Sequence, residues 1–336
     1  MRTVSTVLVS AQMKPCEKWP MMREEVLEEQ LFSQEDIENL SELRRLLNEI
    51  SREQEAYMNG HICPLDRIER LLVATEGSEA SRGAVAAALE LAKSCTVKLI
   101  AVAEVLTNLE CEISLPWVYE QAEKKMRQRL EAVKGMAEEA GVDCEIIVHK
   151  GEDPSEKIVD EAVRNKVDMI VMGTHGRTGI KRIIMGSVTG NVIGHAPCKV
   201  LVVPRGARTD YRTVLVATDG SRYSDAAVLE AVAIAKRCNS SLIIFSAVSS
   251  DAEAATAEEC VKGALEIADK EGVKREGMTL RGKADEAIVE AAKEKDAGLI
   301  VMGSHGRTGL MSLLMGSVTE RVISHGSTAV LVAKVR

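Results

Sequence analysis

Aromatic side chains make up only 2% of the 336 residues, and 43 Lys and Arg are outnumbered by 51 Asp and Glu. A protein that grips nucleic acid needs a basic face and aromatic platforms for its bases. The formal charge of −8 and the scarcity of platforms argue against nucleic acid as a direct partner. No apolar run approaches the ~18 residues that span a bilayer, so no membrane segment is expected. The opening stretch, Met1 to Ala11, has a short apolar core broken by Ser and Thr, and reads as a flexible leader rather than a secretory signal. The eight cysteines include no C-x-x-C pair. They read as buried free thiols of a reducing compartment, which makes a cytoplasmic location the expectation. Neither G-x4-G-K-[ST] nor G-x-G-x-x-G after the first strand is present, which removes the P-loop and dinucleotide-binding signatures.

What the chain has is a long internal repeat. Gly173-Thr-His-Gly176-Arg-Thr-Gly-Ile-Lys-Arg-Ile-Ile-Met-Gly186-Ser187 returns as Gly303-Ser-His-Gly306-Arg-Thr-Gly-Leu-Met-Ser-Leu-Leu-Met-Gly316-Ser317, an offset of 130. The same offset joins Thr189 to Thr319 and His195 to His325. Earlier, Leu72-Val-Ala-Thr-Glu-Gly-Ser78 matches Leu215-Val-Ala-Thr-Asp-Gly-Ser221 at an offset of 143, so the second unit is about a dozen residues shorter. Solenoid repeats run ~20–50 residues, so this period means duplicated domains. The units are placed at 68–205 and 211–336, joined by Pro204-Arg-Gly-Ala-Arg-Thr-Asp210.

Each unit alternates apolar strands with amphipathic helices. In the first, strands are expected at Arg70 to Thr75, Val97 to Ala103, Cys144 to His149, Met169 to Met172 and Lys199 to Val203. Helices are expected at Glu79 to Lys93, Pro116 to Ala140, Ser155 to Asn165 and Ser187 to Gly194. That order predicts an α/β fold: two tandem, doubly wound, five-stranded parallel sheets covered on both faces. Residues 1–67 belong to neither unit. They carry thirteen acidic against eight basic residues. Ile37, Leu40, Leu43, Leu47 and Ile50 form one helical stripe behind a Ser33 N-cap. This acidic helical extension either docks on its own domains or acts as an interaction arm.

Both repeated loops follow the fourth strand of their unit, at the carboxyl edge where ligands of such sheets bind. Glycines after a buried strand let the backbone approach a ligand, and the free amides of a following helix attract anions. Tight turns alone are the competing reading for one such loop, and the duplication favours phosphate binding. Ser187 and Ser317 are expected both to cap their helices and to face the anion. His175 and His305 have no carboxylate fixed beside them in sequence, so neither is read as a catalytic base. Arg177 and Arg307 reach phosphate or stay solvated. His195 and His325, ending a short helix, read as structural.

The G-x2-G-x9-G-S loop, the five-strand alternation and the Thr-Asp-Gly-Ser turn together resemble the universal stress protein family, in its tandem form and its ATP-binding branch. The resemblance covers about 68–336 and implies an adenine nucleotide alpha hydrolase-like fold. It implies a phosphate loop at Gly173, His175, Gly176, Gly186, Ser187, Val188 and Thr189 in the first unit. In the second it implies Gly303, His305, Gly306, Gly316, Ser317, Val318 and Thr319. Met172 and Met302 would lie near the adenosine, Val102 and Phe245 in the adenine-facing place, and Asp219 would bond the adenosine. Glu76 stands where the family has Asp, its carboxylate displaced by about an ångström. ATP or another adenine nucleotide, with Mg2+, is the implied ligand, and stress-response regulation the implied role. A slow ATPase and a nucleotide-free scaffold are the alternatives. The resemblance also implies that the two domains pair through Lys199–Val203 and Ala329–Ala333. A further association between two chains stays open.

Overall fold

The computed structural model describes residues 65, 68–95, 97–106, 116–151, 153–175, 185–207, 209–307 and 315–335. The expected helices of the extension lie outside them, but Leu65 packs into the core. The strands are β1 Arg70–Ala74, β2 Lys98–Leu106, β3 Cys144–Gly151, β4 Met169–Gly173 and β5 Lys199–Val203 in the first unit. Their counterparts are β6 Thr213–Ala217, β7 Ser241–Val248, β8 Arg275–Arg281, β9 Leu299–Gly303 and β10 Ala329–Ala333. The helices are α1 Arg82–Cys95, α2 Pro116–Glu139, α3 Pro154–Arg164, α4 Ser187–His195, α5 Arg222–Cys238, α6 Asp251–Lys270, α7 Ala284–Glu294 and α8 Ser317–His325.

Every residue of β4, β5, β9 and β10 is buried, as continuous apolar runs between two helical layers require. Local chemistry sets the helix ends. Asp153 accepts the Ser155 and Glu156 amides ahead of a proline at the start of α3. Asn239, in the left-handed region at φ 52°, ends α5. Alternate strand residues feed two cores. Leu71, Val73, Leu242 and Ile244 pack under the face covered by α1, α2, α5 and α6. Leu72, Ile170, Ile243 and Phe245 pack under the face covered by α3, α4, α7 and α8. Each fully buried aliphatic chain contributes about 1.5–3 kcal/mol.

The two expected five-stranded sheets merge into one of ten strands, in the order β3-β2-β1-β4-β5-β10-β9-β6-β7-β8. β5 and β10 pair antiparallel, with Val200, Leu201 and Val202 opposite Val332, Leu331 and Val330, while the pairs within each unit are parallel. The cause is local. An all-apolar edge strand left open would recruit another chain, and here each covers the other. In each half the chain order reverses beside the first strand, at β1–β4 and β6–β9, so a crevice opens outside their carboxyl ends.

One helix begins differently from the expectation. Glu79–Ser81 is a 3-10 turn, and the α-helix starts at Arg82. There the Ser78 hydroxyl donates to the Glu76 carboxylate and makes no cap. At the matching place the Ser221 hydroxyl accepts the Ser224 amide at 3.2 Å and caps α5. The thiols divide as well. Cys144, Cys198, Cys238 and Cys260 are free, as expected, but Cys95 is disulfide-bonded, which corrects the all-thiol reading. Among the described residues, no helix is long and apolar enough to cross a membrane.

Candidate functional site

The crevice of the second half is a cleft of about 540 Å³ at the carboxyl ends of β6, β7 and β9. Ligand sites typically measure roughly 300–1,000 Å³. All nine second-unit candidates line it: Asp219, Met302, Gly303, His305, Gly306, Gly316, Ser317, Val318 and Thr319. In the first unit Met172 and Gly173 end β4, His175 follows, and Gly186, Ser187, Val188 and Thr189 begin α4. Gly176 and Arg177 lie outside the described residues.

The same stitches hold both loops. Thr319 Oγ1 donates to the Gly303 carbonyl at 2.9 Å, and Thr189 Oγ1 to the Gly173 carbonyl at 3.0 Å. The Gly316 amide donates to the Ser304 carbonyl at 2.8 Å, and the Gly186 amide to the Thr174 carbonyl at 2.9 Å. Each His Nδ1 meets the hydroxyl before it, His305 with Ser304 at 3.1 Å and His175 with Thr174 at 2.9 Å. The helix that carries each phosphate candidate is therefore tied to the end of its strand.

The caps differ from the expectation. Gly316 and Gly186 are the N-cap residues, and no side chain caps either helix. Ser317 and Ser187 are already the first helical residues, because the glycine takes the extended cap conformation (φ −69° and −62°). Helix first-turn amides have no intrahelical acceptor. Without a capping hydroxyl, those of α8 are available at the cleft, where the dipole favours an anion.

Asp219 ties the turn after β6 to the loop after β9. One carboxylate oxygen accepts the Ser221 amide at 3.0 Å, and the other accepts the Arg307 amide at 2.8 Å. Burial alone would raise its pKa. The bonds from the Ser221 side chain and from the Arg307 and Ser221 amides outweigh burial and hold the carboxyl below the ordinary range. Gly306 is small for this reason: a Cβ there would stand 2.7 Å from the Asp219 carboxylate. In the first unit the Glu76 carboxylate accepts the Ser78 hydroxyl, and the Arg129 guanidinium donates to the Glu76 carbonyl at 2.9 Å.

Gly303 serves packing. A Cβ there would come within 2.6 Å of the Tyr223 backbone, where β9 meets the start of α5. Gly173 stands likewise, 2.9 Å from the Ala80 carbonyl oxygen. Phe245 is 0% exposed to solvent and packs in the core, and it also lines the cleft from β7. Tyr223 and Glu253 were not singled out from the sequence. The Tyr223 ring lies 5.1 Å from that of His305, and Glu253 lines the cleft from the first turn of α6. The repeat gave no signal for Tyr223, whose counterpart is Ala80. Among the described residues, no group of three or more His, Cys, Asp or Glu could hold a metal ion.

The universal stress protein family profile matches residues 67–204 and again 210–334. A universal stress protein of Methanocaldococcus jannaschii is 36% identical over 141 residues, 41% of this chain and 82% of that protein. One from Mycobacterium bovis is 31% identical over 192 residues, 51% of this chain and 63% of that protein. The crystal structure of a universal stress protein from Archaeoglobus fulgidus superposes with a TM-score of 0.65 at 25% identity, covering 79% of this chain and 96% of that one.

Proposed function

The chain belongs to the universal stress protein family, and from that premise we propose that it is an adenine-nucleotide-binding regulator of a stress response. The observation that carries the reading is the cleft of about 540 Å³ in which the uncapped first turn of α8 faces the Asp219-anchored loop. The amides of Ser317, Val318 and Thr319 hold the phosphates, with that of Gly306 beside them. Asp219 bonds the adenosine, and Met302 floors its pocket. In the first unit Met172, Gly173, His175, Gly176, Gly186, Ser187, Val188 and Thr189 take the matching roles. Mg2+ accompanies the triphosphate, held by phosphate oxygens and water, since such an ion needs few protein ligands.

The same geometry favours binding over turnover. Hydrolysis needs a base aimed at a water, and His305 is engaged with Ser304 and packed on Tyr223. Occupancy, and the surface change it brings, is then the output. The test is equilibrium dialysis of the full chain with ATP, ADP, AMP and cyclic AMP, with and without Mg2+, alongside mass analysis of ligand released from purified protein. Binding that is lost when both Ser187 and Ser317 become Asp supports the proposal. Clean protein with no binding at millimolar nucleotide refutes it.

A further inference from the structure

Two side chains of the second unit reach across the central strand pair and hold the first unit's cradle. The Ser324 hydroxyl, near the end of α8, accepts the amide of Met185 at 3.1 Å. Met185 immediately precedes Gly186, the cap of α4. The Lys334 ammonium, just past β10, donates to the Ile193 carbonyl at 2.6 Å. That carbonyl belongs to the last turn of α4, where helix carbonyls lack partners and a cation suits the dipole. Both ends of the first phosphate helix are therefore tied to the other unit.

Among the described residues these two links run one way. At the repeat offset of 130, Ser324 corresponds to Gly194 and Lys334 to Pro204. Glycine has no side chain and proline no donor, so neither bond can be returned to the second cradle. The α8 helix carries its own cradle at Ser317 and reaches the neighbouring one at Ser324. Seven residues separate them, roughly 10 Å at the α-helical rise.

We infer that Ser324 and Lys334 are positioning residues for the first cradle, so that the two nucleotide sites of this chain are inequivalent: the first is completed by the second unit, while the second is self-sufficient. This rests on the nucleotide reading above. The test uses the full chain with Ser317→Asp, which leaves the first cradle to report, titrated with ATP and Mg2+. Ser324→Ala and Lys334→Met each weaken that binding about 3- to 10-fold, the effect of one positioning hydrogen bond. Ser324→Thr and Lys334→Arg, which keep the hydroxyl and the cation, recover most of it. In the converse chain, with Ser187→Asp, the same changes move second-site affinity less than about twofold. Equal losses at both cradles, no loss at the first, or no first-cradle binding while the second binds would each overturn the inference.

A second readout needs no nucleotide. Hydrogen exchange at the Met185 amide speeds up in Ser324→Ala and returns to the native rate in Ser324→Thr. If the native chain binds no adenine nucleotide, the functional reading fails and this amide alone decides the positioning. An unchanged exchange rate in Ser324→Ala overturns it.

Discussion

Asp219→Asn tests whether a charge, rather than shape, anchors the second loop. Asparagine keeps the size of the side chain and one acceptor oxygen, but turns the other position into a donor. Of the two amides that the carboxylate accepts, from Ser221 and Arg307, one then faces another donor. A hydrogen bond to a charged group contributes about 1.5–3 kcal/mol, and Asp219 is only partly buried, so the local loss is about 1–3 kcal/mol. The protection factor of the Arg307 amide should fall about 5- to 150-fold at pH 7, read by hydrogen exchange of the full chain. The pH dependence follows from the lowered pKa. A carboxyl depressed in the folded state contributes stability that is fully present above its unfolded value, near 3.8, and lost as pH falls through the folded value. The gap between native and variant should therefore be wide at neutral pH and close as the pH is taken below 3.8. An equal gap at both ends, or no gap at pH 7, refutes the charge argument.

Four other outcomes are expected. Gly303→Ala forces a Cβ against the Tyr223 backbone and should destabilise the chain by about 1–3 kcal/mol in urea unfolding; Gly263→Ala, in an α6 position with nothing within 4 Å, should stabilise it by up to ~1 kcal/mol. The Lys199 side chain is 9% exposed, and its Nζ meets Glu230 across the units at 2.5 Å. Glu230→Ala strands that charge and should cost about 2–4 kcal/mol, while Lys199→Met with Glu230→Leu should cost less, as a double-mutant cycle in urea reads. Burial pushes the Cys144, Cys198 and Cys238 thiols up to about 12, so iodoacetamide at pH 8 should leave all three unmodified in native protein and label them after unfolding.

Much of the fold was legible because its signals are local. Short apolar runs such as Met169 to Met172, followed by glycine, read as strands buried on both faces, and the helices between them carry their own stripes and stops. The site's location was legible too, since a glycine loop between strand and helix must lie at the carboxyl edge. The details of the cradle were less so. Ser187 and Ser317 look like caps in a string of letters, and only the extended backbone at Gly186 and Gly316 moves the cap one residue earlier. Phe245 was assigned its place by resemblance, and strand alternation puts it on the same sheet face as Met302, at the cleft.

The amino-acid order by itself determined two duplicated α/β units and the place of a glycine loop between strand and helix in each, because periodicity, glycine placement and helix starts act over a few residues. Tertiary structure alone decided which groups meet over long separations. It brought Asp219 to the Arg307 amide, Tyr223 to His305, and Ser324 and Lys334 to the first cradle. Those meetings depend on how strands order in the sheet and on the antiparallel closure of β5 with β10. Hydrogen bonding and close packing act over a few ångströms, so partners some 80 to 140 positions apart are chosen only once the sheet has assembled.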